Sequence, residues 1–547
     1  MSDLEPKAPI SLAPLVVGLG GVALILALAI AVVLLTRRAG PSATPRATPS
    51  ATASVPASRP SLAPIPPDFS ERAGALLERG DLAGLRALAG PYAAEGDPVA
   101  QLFAGLAALK STPPDLAGLP LLERSAEQGI GDAAYALARY HRNQGAVGRE
   151  DTFRWAARAA ALDQTYGMTL LGELYLRGEG TKADPAQGLN FLRQGAAAQD
   201  RDAMRLLGLL YTEGGYGVAA DFPRGMNWFE RAAELGDPLA CHTVGHLLVW
   251  GRGGRGGEPS PEDLSRARRL LERAAAGGDK SGLADLGWLA LCGLGTSKDE
   301  VGGLAMIKES AESGVLEAIY LLGRIYWRGQ GEIRADPAQA VPWFRKGAEL
   351  GNADCAHQLA RAYEEGSGGL PQDGVEALRF YERGAELGHS AASLSLAIHL
   401  LTGRFGKTDP ARAQTLLEFA AAHGEAKAAL TLAGLLSGGK ELPNDPRRAY
   451  QLYLQAAAGG NLDGVAHAAR VLDRGAGGPR DRAAALRWAK LGAERGHARS
   501  MFMLGSLLYE GRPEIPRDVI AGRTWLLRAA AADDRLAKGY VQRQGIR

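Results

Sequence analysis

Two small sets of residues in this chain have the types and spacing from which chemistry could be built. Gly251, Gly253 and Gly256 satisfy G-x-G-x-x-G, the spacing that lets a backbone approach the pyrophosphate of a dinucleotide. That fingerprint needs a strand before it and a helix directly after it. Here a helical pattern precedes it and Pro259 and Pro261 follow, so the run reads as an insertion of disordered chain. His242 and His246 stand four residues apart beside Cys241, so one helical face would carry both imidazoles, as a zinc site requires. No third ligand is apparent nearby, and the sequence reading assigns no metal and no cofactor. G-x-S-x-G, Walker and H-E-x-x-H motifs do not occur. No catalytic residue is assigned, and the chain reads as a non-enzyme.

What must position any of these residues is a repeat. Counted from the residue that closes each unit, often the glycine of A-A-E-x-G, anchors fall at Gly96, Gly129, Asp163, Gln199, Gly236, Gly278, Gly314, Gly351, Gly388, Gly424, Gly460, Gly496 and Asp533. Their spacing is 33 to 42 residues and mostly 36 or 37, the signature of stacked supersecondary units. Nine residues past each anchor stands Gly or Ala, such as Gly208, Gly323 and Ala397. Glycine inside a helix costs about 1 kcal/mol relative to alanine, so its return at one register points to close helix approach. Eight residues before the anchor the side chain is bulky and apolar, with Trp155, Trp228, Trp343, Trp488 and Trp525 in that register, which predicts a ladder of core residues. Between them lie a glycine break and an aspartate, as in Gly329, Gly331 and Asp336-Pro337, a helix stop followed by a helix start. Each unit is therefore expected to be helix, turn, helix.

The residues Ala318, Leu322, Gly323, Tyr326, Gly329, Gly331, Asp336, Ala340, Trp343, Phe344, Ala348 and Gly351 resemble, in place, the Sel1-like repeat, a relative of the tetratricopeptide repeat. The resemblance runs over roughly 96–533. It implies an all-α fold, a right-handed α-solenoid of tandem helix-turn-helix repeats, and a protein-binding role of the kind found in bacterial envelope regulation or signalling assemblies. It also leaves open an exported structural or host-directed binding protein, and a hydrolase in the manner claimed for some cysteine-rich relatives. Cys241, Cys292 and Cys355 are odd in number and lie in different repeats, which is not a disulfide framework.

Outside the repeats, residues 1–14 read as an N-terminal tail and 15–36 as a single transmembrane helix. The apolar run Leu15–Leu35 holds 21 residues, enough to cross a bilayer core of about 30 Å. Ala23, Ala27 and Ala31 form a small-residue stripe through which such helices could self-associate. Residues 37–67, rich in Pro, Ser, Thr and Ala, read as a disordered linker; 68–95 as the first helices of the array; and 534–547 as a C-terminal tail. Arg37, Arg38 and Arg46 after the span, against Lys7 before it, favour a cytoplasmic repeat domain at an inner membrane. A stalk-like linker suits the periplasmic side equally well. Lys and Arg exceed Asp and Glu by only 62 − 60 = 2, with no basic stripe in the repeats, so nucleic acid is not an expected partner.

Within the first helix of each unit, offsets 4, 8, 9 and 12 from the anchor are nearly constant and predict the core. Offsets 6, 10 and 13 share another face and vary. That face carries His246, Trp288, Tyr320, Arg324, Trp327, His357 and Arg361, with Arg139 and Arg470 at equivalent offsets. Rows of Trp, Tyr and Arg are common anchors of protein interfaces, so this row is the expected groove for a protein or peptide partner. The reading is thus a membrane-tethered interaction scaffold.

Overall fold

A computed structural model describes residues 64–250 and 259–546. The chain divides into two compact units, Met1–Leu286 and Gly287–Arg547. In each, the described residues form α-helices that pack with their neighbours along the chain, and the only β pairing among them is three isolated bridges in turns. This is the all-α array of tandem helix-turn-helix repeats that the periodicity predicts.

One repeat shows how the sequence builds the rest. Its first helix, Leu316–Arg328, ends at Gly329, where φ is 75°. The Asp336 amide donates back to the Tyr326 carbonyl at 2.6 Å, which folds the chain toward the second helix. Asp336 then caps that helix, Pro337–Glu349, its carboxylate accepting from the Gln339 amide while Pro337 occupies the first turn, where no amide is needed. Gly351 closes the unit with φ 93°, and the Asn352 amide donates to the Gly347 carbonyl at 2.8 Å. Asn352 is already the cap of the next helix, accepting from the Cys355 amide at 2.8 Å. A helix end, a reversal and a helix start thus occupy three residues.

The anchors are glycines because this position lies in the left-handed region. At Asp163, Gln199 and Asp533 a non-glycine residue adopts the same geometry, with φ of 57°, 63° and 66°. Offsets 4, 8 and 9 are the buried registers of the first helix, represented in one repeat by Ala318, Leu322 and Gly323.

The bulky register is corrected by one residue. In most repeats it is seven residues before the anchor, not eight, that the large side chain is fully enclosed: Leu192, Phe229, Leu271, Ile307, Phe344, Tyr381, Leu417 and Leu526 are each at most 1 % exposed, whereas in the repeat closed by Asp163 that position is Ala156 and Trp155 at eight is itself buried. These residues fill the glycine register. A methyl group added at Gly208 would lie 2.9 Å from the Phe229 ring, and one at Gly323 would lie 2.5 Å from Phe344. The tryptophans one residue earlier are mostly half-buried and lie beneath cations. Arg231 stacks on Trp228 at 4.4 Å, Lys346 on Trp343 at 5.3 Å and Arg528 on Trp525 at 5.0 Å. The same basic register reaches the previous repeat. Lys346 Nζ donates to the Ala311 carbonyl at 2.8 Å, and Arg273 donates to the Ala233 carbonyl at 2.7 Å, where a preceding second helix ends.

A second correction concerns the membrane. No helix among the described residues is long and apolar enough to cross one. The described helices run to at most 16 residues, short of the roughly 20 that a bilayer requires. The stretch 15–36 expected to span, and the linker as far as residue 63, lie outside the described residues, as does the glycine run 251–258. Among the described residues the fold class is therefore the helical repeat array, with no transmembrane helix. The segment read as a C-terminal tail carries one more helix, Arg535–Arg543, capped by Asp534, with Ala537 buried as in the other first helices.

The close approach makes two substitutions diverge. Gly434 lies in helix Ala426–Gly438 with nothing within 4 Å of an added methyl. Gly434→Ala should stabilise by up to about 1 kcal/mol, the helix-propensity difference. Gly323→Ala gains the same propensity but overpacks against Phe344, which costs about 1–3 kcal/mol, so it should be net destabilising. Urea midpoints of the two variants check this, and two shifts of the same sign would contradict it.

Candidate functional site

The variable face of the first helices is built at the seams between repeats. Most first helices begin with a capping side chain at offset 1, the exceptions being Ile130, Val315 and Glu425, and in several repeats this side chain meets offset 6 of the preceding first helix. Thr169 Oγ1 donates to Asp200, Arg205 lies 3.9 Å from Asp237, and the His357 and His389 rings stand 4.7 Å apart. Offset 6 is thereby drawn into the seam, and offset 10 is left more open.

In the first unit this face holds a recess of about 330 Å³. Tyr135 and Tyr166 stack across it with centroids 5.7 Å apart, and the Arg139 guanidinium lies 5.9 Å from the Tyr135 ring. Arg142 donates to Glu173 at 2.7 Å, and Arg205 pairs with Asp202. Burial pushes the Asp200 carboxyl up from its ordinary range despite the bond from Thr169, and burial likewise raises the Tyr135 hydroxyl. The wall is thus aromatic, with charges of both signs, and suits an extended polar chain better than a small apolar ligand.

The second unit has a recess of about 490 Å³ on the corresponding side, centred on Glu364. Glu364 accepts from the Tyr381 hydroxyl at 2.6 Å and from Arg404 at 2.8 Å, with His399 Nε2 at 3.4 Å. These partners hold the carboxylate in place from three sides.

The residues expected from sequence to line a groove occupy different environments. Arg361 is exposed and bonds Glu365 at 2.9 Å. Arg324 is half-buried, 5.6 Å above the Tyr320 ring. Tyr320 itself is buried, and burial pushes its hydroxyl up to about 12. Trp327 is half-buried against Phe344 at 5.9 Å, and Trp288 is also half-buried. His357 sits between the Tyr381 and His389 rings, and His246 bonds Asp285 at 2.8 Å. The face is therefore less open at offset 6 than its helical angle alone implies. Asp200, Asp202, Asp285 and Arg404 were missed by the sequence reading. The capping position at offset 1 was the available signal for Asp200.

His357 generates a pH dependence. Burial first, then the His389 and Arg361 charges, push its pKa down to about 4. A depressed histidine stabilises while neutral. Its contribution is complete above the unfolded value of about 6.5 and is lost as pH falls from there toward 4. Between pH 7 and pH 5 the native chain should lose roughly 1–2 kcal/mol more urea stability than His357→Gln. An identical loss in the two proteins would contradict this.

Ten consecutive segments between residues 165 and 534 match the Sel1 repeat: 165–200, 201–237, 239–279, 281–315, 316–352, 353–389, 390–425, 426–461, 465–497 and 498–534. Among known proteins, the chain is similar to the Sel1-repeat-containing protein YjcO of Escherichia coli K12, 26 % identical over 167 residues, 30 % of this chain and 67 % of that one. It is also similar to the crystal structure of c5321, described as a protective antigen of uropathogenic E. coli with an SLR fold. That likeness has a TM-score of 0.46 and 24 % identity over 84 % of this chain and 97 % of the other. A Sel1 repeat protein from Oxalobacter formigenes gives a TM-score of 0.43 at 24 % identity, covering 61 % and 93 %. With its repeats matched over more than half its length, the chain belongs to the Sel1 repeat family.

Proposed function

We propose that this chain is a protein-interaction scaffold that holds a polypeptide partner along the first-helix face of its repeats and performs no chemistry of its own. The observation that carries this reading is the wall of the first-unit recess. Stacked Tyr135 and Tyr166, with Arg139, Arg142 and Arg205 set against Glu173, Asp200 and Asp202, offer flat aromatic surface and paired polar sites along successive helices. Aromatic and arginine side chains on a preorganised backbone lose little entropy on binding, which is what makes them effective interface anchors. In the second unit the corresponding positions include Arg324, Trp327 and Arg361, which are exposed or half-buried. Tyr320 and His357 support this face from beneath.

Photo-crosslinking residues placed one at a time at Arg139, Arg324 and Arg361 test the reading, with Arg379 and Glu382 on a second helix as controls. Crosslinks to the same defined polypeptide from the first-helix positions, and none from the controls, is the expected result. Crosslinking only from the second-helix positions would reject the face. Arg324→Glu with Arg361→Glu should weaken capture of that polypeptide at least tenfold while leaving the melting temperature within a few degrees of the parent, because these residues lie outside the core.

A further inference from the structure

The pair His242 and His246 gains from the fold what the sequence did not show. Both lie on the first helix Pro238–Val249, and the first helix of the next repeat, Lys280–Cys292, brings Asp285 against them. Asp285 Oδ2 is 2.8 Å from His246 Nδ1 and 3.1 Å from His242 Nε2. The three ligand atoms all lie within 4.8 Å of one another. A tetrahedral zinc ion with bonds of about 2.0–2.1 Å places its ligand atoms about 3.3 Å apart, so the observed cluster is close to the required span.

A fourth residue gives this cluster direction. Asp279 caps the same helix, its Oδ1 accepting from the Gly282 amide at 2.9 Å. Its other oxygen, Oδ2, is buried, accepts no hydrogen bond, and lies 3.9 Å from His242 Nδ1. A buried carboxylate oxygen without a donor is costly. A histidine that gives Nε2 to a metal carries its proton on Nδ1, and metal-bound histidines generally donate that proton to a carboxylate or carbonyl. Asp279 stands on that side of His242. The side chain of His246 is 44 % exposed, which leaves the cluster open to solvent for a further ligand.

We propose that His242 Nε2, His246 Nδ1 and Asp285 Oδ2 form a binding site for a divalent transition ion of the zinc class, with Asp279 as the positioning residue that orients His242. Two imidazoles and one carboxylate favour zinc over magnesium or calcium, which prefer all-oxygen sets. The ion would clip two successive first helices together. It does so at the repeat between Gly236 and Gly278, which at 42 residues is the longest in the array. The site also lies on the first-helix face, so a partner side chain could complete the coordination.

Titration of the full chain with zinc against a chromogenic chelator, together with thermal melts, tests the site. One zinc per chain is expected, with a melting temperature that rises with zinc concentration. His246→Ala and Asp285→Ala should each abolish the zinc-dependent rise, each variant being compared with its own metal-free melt. Asp279→Asn keeps a capping oxygen for the Gly282 amide and should bind zinc about 10–100-fold more weakly. That effect separates a positioning role from loss of the helix cap. No rise in the native chain, or unchanged stoichiometry and affinity in His246→Ala and Asp285→Ala, would overturn the proposal. Cobalt supplies a second readout. The native chain should give the intense visible absorption of a four-coordinate site, and its absence would also count against the assignment.

Discussion

The structure depends on one close approach, made again in most repeats, between a glycine or alanine on the first helix and a large apolar side chain on the second. Phe344 against Gly323, Phe229 against Gly208 and Leu526 against Gly505 leave no room for one further carbon atom. Burying a phenylalanine or leucine completely contributes about 1.5–3 kcal/mol, and here it is achieved within a hairpin of two helices of mostly 13 residues. Such short helices are marginal alone, so each hairpin needs its neighbours. That need explains a chain of 547 residues with 72 glycines and only 11 phenylalanines: small residues set the spacing, and a few large ones fill it.

The helix ends make the repeats continuous. In most repeats a left-handed anchor followed at once by a capping side chain lets one second helix stop and the next first helix start within three residues. The capping side chains then do more than cap: Asp200, Asp237, Asp279 and His389 each turn toward the preceding first helix. On the other side, Arg158, Arg273, Lys346 and Gln455 reach the carbonyls at the end of an earlier second helix. Polar contacts thus fix the register between repeats while the apolar contacts hold each hairpin together. The variable face is formed by these polar seams, so its residues serve stacking and recognition together.

Much of the fold was legible in the sequence because it is periodic. Gly351, Asp336 and Gly323 each report a local requirement, namely a positive φ, a helix start and a close approach, and thirteen anchors repeat the message. The tryptophan register stands one residue from the enclosed one in most repeats, because an indole is wide enough to serve at the core's edge: Trp343 and Trp525 lie half-buried under cations and the neighbouring Phe344 and Leu526 fill the core. The site was less legible. Helical angle placed Tyr320 and His357 on the variable face but could not say that the next helix covers them. Asp285 joins His242 and His246 only when the following repeat docks, a distance of about forty residues along the chain that no local pattern encodes.

The central claim is that the small register and the residue seven before the anchor form one packing unit. A double-mutant cycle on Gly323→Ala and Phe344→Leu measures it most directly. Since the methyl of the first variant would meet the ring removed by the second, Phe344→Leu should absorb much of the cost of Gly323→Ala. The expected coupling is at least about 1 kcal/mol in urea unfolding. Strict additivity of the two substitutions, within about 0.3–0.5 kcal/mol, would contradict the account.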